Sequence, residues 1–104
     1  MNQQAMLRKM RQMQKELQET QDEIANSDFT QTAGGVVSVT LKGTKELVKV
    51  EILEGFEIES QEDIEMLQDM IIAACNNAYK EIDKTTEQKM AKYQALLGGM
   101  GSMF

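Results

Sequence analysis

The apolar residues in the first quarter of the chain fall at Met6, Met10, Met13, Leu17 and Ile24, with Thr20 in the one vacant step. The intervals run 4, 3, 4, 3, 4, which is the a/d repeat of a packed or coiled helix. A stripe this narrow needs apolar cover along its length, so it limits what the rest of the chain can be. Gln, Lys, Arg and Glu, all good helix formers, fill the positions between. The spacing predicts a helix over residues 2–26, ~37 Å long at ~1.5 Å per residue. Asn26-Ser27-Asp28 supplies the stop.

The period then drops to two. Phe29 to Ala33 alternates, and Gly34-Gly35 interrupts it. Val37, Val39 and Leu41 share one face against Ser38 and Thr40 on the other. Lys42-Gly43-Thr44-Lys45 reads as a hairpin turn, after which Val48, Val50 and Ile52 point inward against Lys49 and Glu51. Alternation between turn signals is the pattern of an antiparallel sheet with one wet face. Three strands are expected within about residues 29–53.

Ser60 followed by Asp63 forms a capping-box start. Ile64, Leu67, Ile71, Ala74, Ala78 and Ile82 follow at helical spacing, and no breaker appears before Gly98. A second helix is therefore expected over about 61–97, with a flexible Gly/Met tail at 98–104. The order is α-β-β-β-α: one α+β domain over residues 1–97, a three-stranded antiparallel sheet flanked by two long helices.

Missing residue types narrow the chemistry. The chain of 104 residues has no His, no Trp and no Pro, and its single cysteine is Cys75. The commonest general base and the commonest metal ligand are absent together, and the usual zinc sets cannot be assembled. No phosphate-cradling glycine motif occurs. The expectation is no enzyme, no catalytic residues, no metal, no cofactor and no small-molecule substrate. No stretch of ~18 apolar residues is present, and the start lacks a secretory pattern, so no membrane partner is expected and the location expected is cytoplasmic. Cys75, among Ile71, Ala74 and Ala78, reads as an inert packed thiol.

Several segments also resemble a known family. These are the Met/Gln/Lys-rich opening helix, Thr32-Ala33-Gly34-Gly35-Val36-Val37-Ser38-Val39, Lys49-Val50-Glu51-Ile52, Glu62 to Ile71, Ala73-Ala74-Cys75-Asn76-Asn77-Ala78 and the Gly/Met/Phe tail. Together they are similar to the YbaB/EbfC nucleoid-associated proteins over essentially the whole chain. The resemblance implies a homodimer with paired, tweezer-like projecting helices that binds double-stranded DNA in the bacterial nucleoid. It implies a role in nucleoid organisation or gene expression.

Charge gives an independent reading. The formal net charge is −6, which alone argues against a polyanion partner, but distribution matters more than the sum. The first helix carries Arg8, Lys9, Arg11 and Lys15 before its first acid, Glu16, an order opposed to the helix macrodipole. The second carries its acids early and Lys80, Lys84, Lys89 and Lys92 late. If the helices pack antiparallel, residues 1–15 and 80–97 pool at one end with a net of +5, against −11 for the remainder. Those eight bases are the candidate DNA-binding residues. The Debye length is ~8 Å at physiological salt, so distant acids would be screened from a ligand at that end.

Plainer readings stand beside this one. The basic run also suits a solvated helix surface, or an amphipathic helix on anionic lipid, although its apolar face lacks Trp and Phe. The methionine stripe reads as packing surface rather than as a metal cluster. The alternative function is a protein-interaction adaptor or holdase gripping polypeptide through Met6, Met10 and Met13.

Overall fold

The computed structural model describes residues 2–101, with side chains through Ala95. Helix α1 (Gln3–Asn26) begins where Asn2 Oδ1 accepts a hydrogen bond from Gln4 N at 3.0 Å. That side chain satisfies one of the amides a helix start leaves unpaired. The helix ends as Ser27 Oγ donates to Glu23 O at 2.6 Å and Asn26 Nδ2 donates to Asp22 O at 2.9 Å.

Strands β1 (Asp28–Ala33), β2 (Val37–Lys42) and β3 (Leu47–Ile52) form one antiparallel sheet in the order β1-β2-β3. Gly34 and Gly35, at φ +59° and +66°, turn β1 into β2 in the left-handed region that glycine adopts without strain. Gly43 is needed for a different reason. A Cβ there would lie 1.8 Å from Ile24 O, because the β2–β3 turn presses on the exit of α1, where Gly43 N donates to Ser27 O at 3.1 Å. The sheet is thereby fastened to the root of the first helix.

Helix α2 (Gln61–Gly101) opens with the expected capping box: Asp63 Oδ2 accepts from Ser60 N at 3.1 Å, and Ser60 Oγ accepts from Asp63 N at 3.4 Å. It runs 41 residues, ~62 Å, four residues beyond the expected end at Leu97. The glycines at 98, 99 and 101 cost only ~1 kcal/mol each relative to alanine and do not forbid the helix. The expected flexible tail thus covers four helical residues, and its last three, 102–104, lie outside the described residues.

Two separate cores share α2. The first packs Leu67, Ala74, Ala78 and Ile82 on Phe29, Val37, Val39 and Leu41, all 8% exposed or less. The second is small: Ile24, Met90 and Tyr93, with Met13 and Leu17 against them. Thr20, the vacant step of the stripe, places its hydroxyl 3.4 Å from Tyr93 Oη. Lys89 Nζ meets Glu23 Oε1 at 3.1 Å, while further along Met13 packs against the cluster of Tyr93 and Lys9 lines one cleft with Lys92. The helices therefore run antiparallel, and the pair projects from the sheet along a 73 Å axis.

One inward expectation is corrected. Val50 and Ile52 do sit on the helix side of the sheet, opposite Val39 and Val37, and the sheet irregularity between Thr40 and Leu41 falls where Val48 interrupts the pairing. Yet every residue of β3 is exposed, Val48, Val50 and Ile52 by 47%, 43% and 51%. A helix ~10 Å across covers about two strands spaced ~4.8 Å apart, and α2 lies over β1 and β2.

Candidate nucleic-acid interface

The basic residues separate into four placements. Arg8, Arg11 and Lys15 stand three and four residues apart, on the face of α1 turned away from Met13, Leu17 and Ile24, and all three are exposed. Lys15 Nζ lies 4.0 Å from Glu19 Oε1, with both groups well exposed, a pair that leaves most of its charge to solvent. Arg8 and Arg11 share a shallow concavity with Gln4 and Leu7.

Lys9 lies beside the helix–helix seam instead, where it lines one open cleft with Lys92. Lys92 holds its ammonium 4.9 Å from the centroid of the Tyr93 ring, a cation–π geometry. Lys89, one turn back, pairs with Glu23 at 3.1 Å. Its charge is therefore engaged at the root of the arm, although the sequence places it among the free bases of the tip.

Lys80 and Lys84 are not at the tip. Ile82 between them is buried in the sheet core, Glu81 accepts from Gln31 of β1, and Asp83 pairs with Lys45 of the β2–β3 turn at 2.9 Å. They stand at the level of the sheet, ~12–18 Å from Lys92 along the helix axis. Both are exposed, on the side of α2 turned away from α1. The tip proper, residues 2–15 and 90–101, still holds five bases, Arg8, Lys9, Arg11, Lys15 and Lys92, and no acid. Among the described residues, Arg8, Lys9, Arg11, Lys80, Lys84 and Lys92 ion-pair with no carboxylate.

Tyr93 and Met90 were not legible as structural residues of this arm. Their signal is the spacing Ile82, Thr86, Met90, Tyr93, a helical stripe whose second step is a threonine bonded back to Ile82 O at 2.8 Å. Apolar exposure rises toward the tip: Met6, Leu7 and Met10 are 49%, 51% and 38% exposed. The outermost turns of α1 thus present apolar and basic groups together. Among the described residues, no three His, Cys, Asp or Glu converge to hold a metal, and no helix is long and apolar enough to cross a membrane.

Comparison with known proteins points the same way as the basic tip. The YbaB/EbfC DNA-binding family matches residues 1–98. A nucleoid-associated protein of Clostridium acetobutylicum is 38% identical over 96 residues, covering 91% of this chain and 81% of its own. A nucleoid-associated protein of Lactococcus lactis is 38% identical over 94 residues, covering 89% and 93%. The crystal structure of an uncharacterized protein from Helicobacter pylori superposes with a TM-score of 0.63 at 26% identity, over 92% of this chain and 98% of that one.

Proposed function

The chain belongs to the YbaB/EbfC DNA-binding family, a family of DNA-binding proteins and not of enzymes, and on that premise we propose that it holds duplex DNA in the nucleoid as a homodimer, through the tips of its paired helices. The observation that carries this reading is the uncompensated positive charge of the tip. Arg8, Lys9, Arg11 and Lys92 ion-pair with no carboxylate among the described residues, and the acidic remainder of the chain lies toward the sheet. From Arg8 to the root of α1 at Asn26 is ~27 Å of helix, about three Debye lengths of ~8 Å, so the acids around the sheet are largely screened from the outermost turns. Glu16 and Glu19 are the acids that border the tip. The tip therefore attracts phosphate while the body repels it, which favours local contact over wrapping.

The dimer reading rests on β3. It is an edge strand with a free hydrogen-bonding side, and it exposes Leu47, Val48, Val50 and Ile52. Ile72 and Tyr79 of α2, 59% and 37% exposed, lie by helical spacing on the flank of α2 that faces β3. An edge and an apolar face of this kind call for cover, and a second copy related by two-fold symmetry is the commonest cover. It leaves both tips clear, because the sheet and the tip occupy opposite ends of the molecule. The nucleoid location, and with it the cytoplasm, is carried from the names of the relatives. Bridging two duplex segments by two tips is the route to an effect on nucleoid organisation or gene expression.

A second reading, a holdase or adaptor, draws on the exposed Met6, Leu7 and Met10. Titrating the protein with mixed-sequence duplex and with an unfolded polypeptide separates the two. The DNA reading expects duplex binding that weakens steeply as salt rises, because phosphate contacts release counterions. Polypeptide capture that outlasts high salt, with no duplex binding, would select the second reading.

A further inference from the structure

Two lysines from different helices line one cleft near the tip. Lys9 of α1 and Lys92 of α2 line one open cleft of about 270 Å3 with Gln12, Met13, Glu16 and Tyr93. Tyr93 is 3% exposed, so the ring beneath the exposed Lys92 ammonium is itself fixed, and the 4.9 Å cation–π contact favours that resting place for the cation. The one acid in the cleft, Glu16, accepts a hydrogen bond from Gln12 Nε2 at 3.3 Å and forms an ion pair with neither lysine. The arm's other seam lysine, Lys89, is answered by Glu23 at 3.1 Å. Lys9 and Lys92 have no such partner among the described residues. Two like charges on the walls of one cleft repel, and an oxyanion with several acceptor atoms is a species that can satisfy both at once.

We propose that Lys9 and Lys92 form a single phosphate site across the helix–helix seam, taking one backbone phosphate of duplex DNA between them and bracing α1 against α2 when occupied. This rests on the reading of the tip as the DNA-binding surface, and it assigns one phosphate a place on it. The site exists only while the helices are docked. Docking is thin here, since Met13 is the outermost half-buried residue of α1 and Met10 and Met6 beyond it are exposed. An anion bound only by the docked arm stabilises that arm by mass action.

The test uses the full chain in two arms. In the first, amide hydrogen exchange of α1 is followed in sodium phosphate and in sodium chloride of equal ionic strength. Phosphate is expected to slow exchange over residues 6–15 several-fold in the unaltered protein, and to lose that effect in Lys9→Met and in Lys92→Met. Met preserves length and helix propensity, so both variants should fold. In the second arm, duplex affinity is measured for the unaltered protein, each single variant and the double variant. Each single change is expected to weaken binding about 5- to 10-fold, and the double change no more than about 2-fold further, because a clamp missing one jaw gains little from the other. Losses that multiply in the double variant, or phosphate protection that is absent or survives both substitutions, would overturn the site. Failure of the unaltered protein to bind duplex would sink the DNA reading instead, and the phosphate-dependent exchange would then decide the site by itself.

Discussion

Replacing Val50 and Ile52 together by threonine should convert the proposed dimer into monomers while leaving the tip untouched. Both side chains lie on the helix side of β3, opposite Val39 and Val37, and remain 43% and 51% exposed in the single chain. Fully burying a Val or Ile side chain is worth ~1.5–3 kcal/mol, so roughly half of that, ~1 kcal/mol each, is left to be gained when a second copy covers the strand. Two-fold symmetry counts each residue twice, giving ~4 kcal/mol for the pair of positions. That corresponds to nearly three decades in dissociation constant. Threonine keeps the branched Cβ that suits a strand, so the sheet should persist while the interface loses its apolar contribution. Sedimentation across a dilution series reads the result directly. The reasoning fails if the unaltered chain is a monomer at tens of micromolar, or if the variant's dissociation constant stays within about threefold of the original.

Gly43→Ala should be among the most damaging single changes, costing ~3 kcal/mol or more in denaturant unfolding, because the added Cβ meets Ile24 O at 1.8 Å. A variant within ~1 kcal/mol of the original would show that the turn can lift off α1 freely. Asp63→Ala removes an acceptor for Ser60 N and Glu59 N and should cost ~1 kcal/mol, measured the same way. An unchanged midpoint would mean that solvent replaces the cap. Lys80→Met with Lys84→Met should weaken duplex binding less than Arg8→Met with Arg11→Met, since the first pair stands at the sheet and the second at the tip. The reverse ranking in a binding titration would relocate the contact surface to the back of α2.

Much of the fold was legible because its signals are local. The 4-3-4-3-4 stripe of α1, the two-residue alternation of β2 and the Ser60/Asp63 cap each express a short-range rule, and each appears as expected. The alternation of β3 reports a shared face at Val50 and Ile52, breaks at Val48 where the pairing is irregular, and predicts a burial that the strand does not have. Period reports the chemistry of a strand's two sides, not the width of the element available to cover one of them. Tyr93 was missed because the stripe it belongs to passes through Thr86 and is surrounded by Lys, Glu and Gln. The Lys89–Glu23 pair spans 66 residues of sequence, and nothing at either position announces the other. Charge order along the chain placed the bases on the right helices. It could not say that Lys80 and Lys84 fall beside the sheet, because that depends on how far α2 runs before it leaves the sheet and meets α1.

The central claim is that the helix tips, and not the sheet, carry the DNA. The measurement is the salt dependence of affinity for mixed-sequence duplex, compared between Arg8→Glu/Arg11→Glu at the tip and Lys42→Met/Lys45→Met at the sheet, where both lysines are already paired, with Asp28 at 2.6 Å and Asp83 at 2.9 Å. With ~4–6 phosphates neutralised, log affinity should fall against log salt with a slope of about −4 to −5. The tip variant should bind weakly and show a flatter slope, and the sheet variant should keep both affinity and slope. A sheet variant that loses binding while the tip variant retains the original slope would contradict the account.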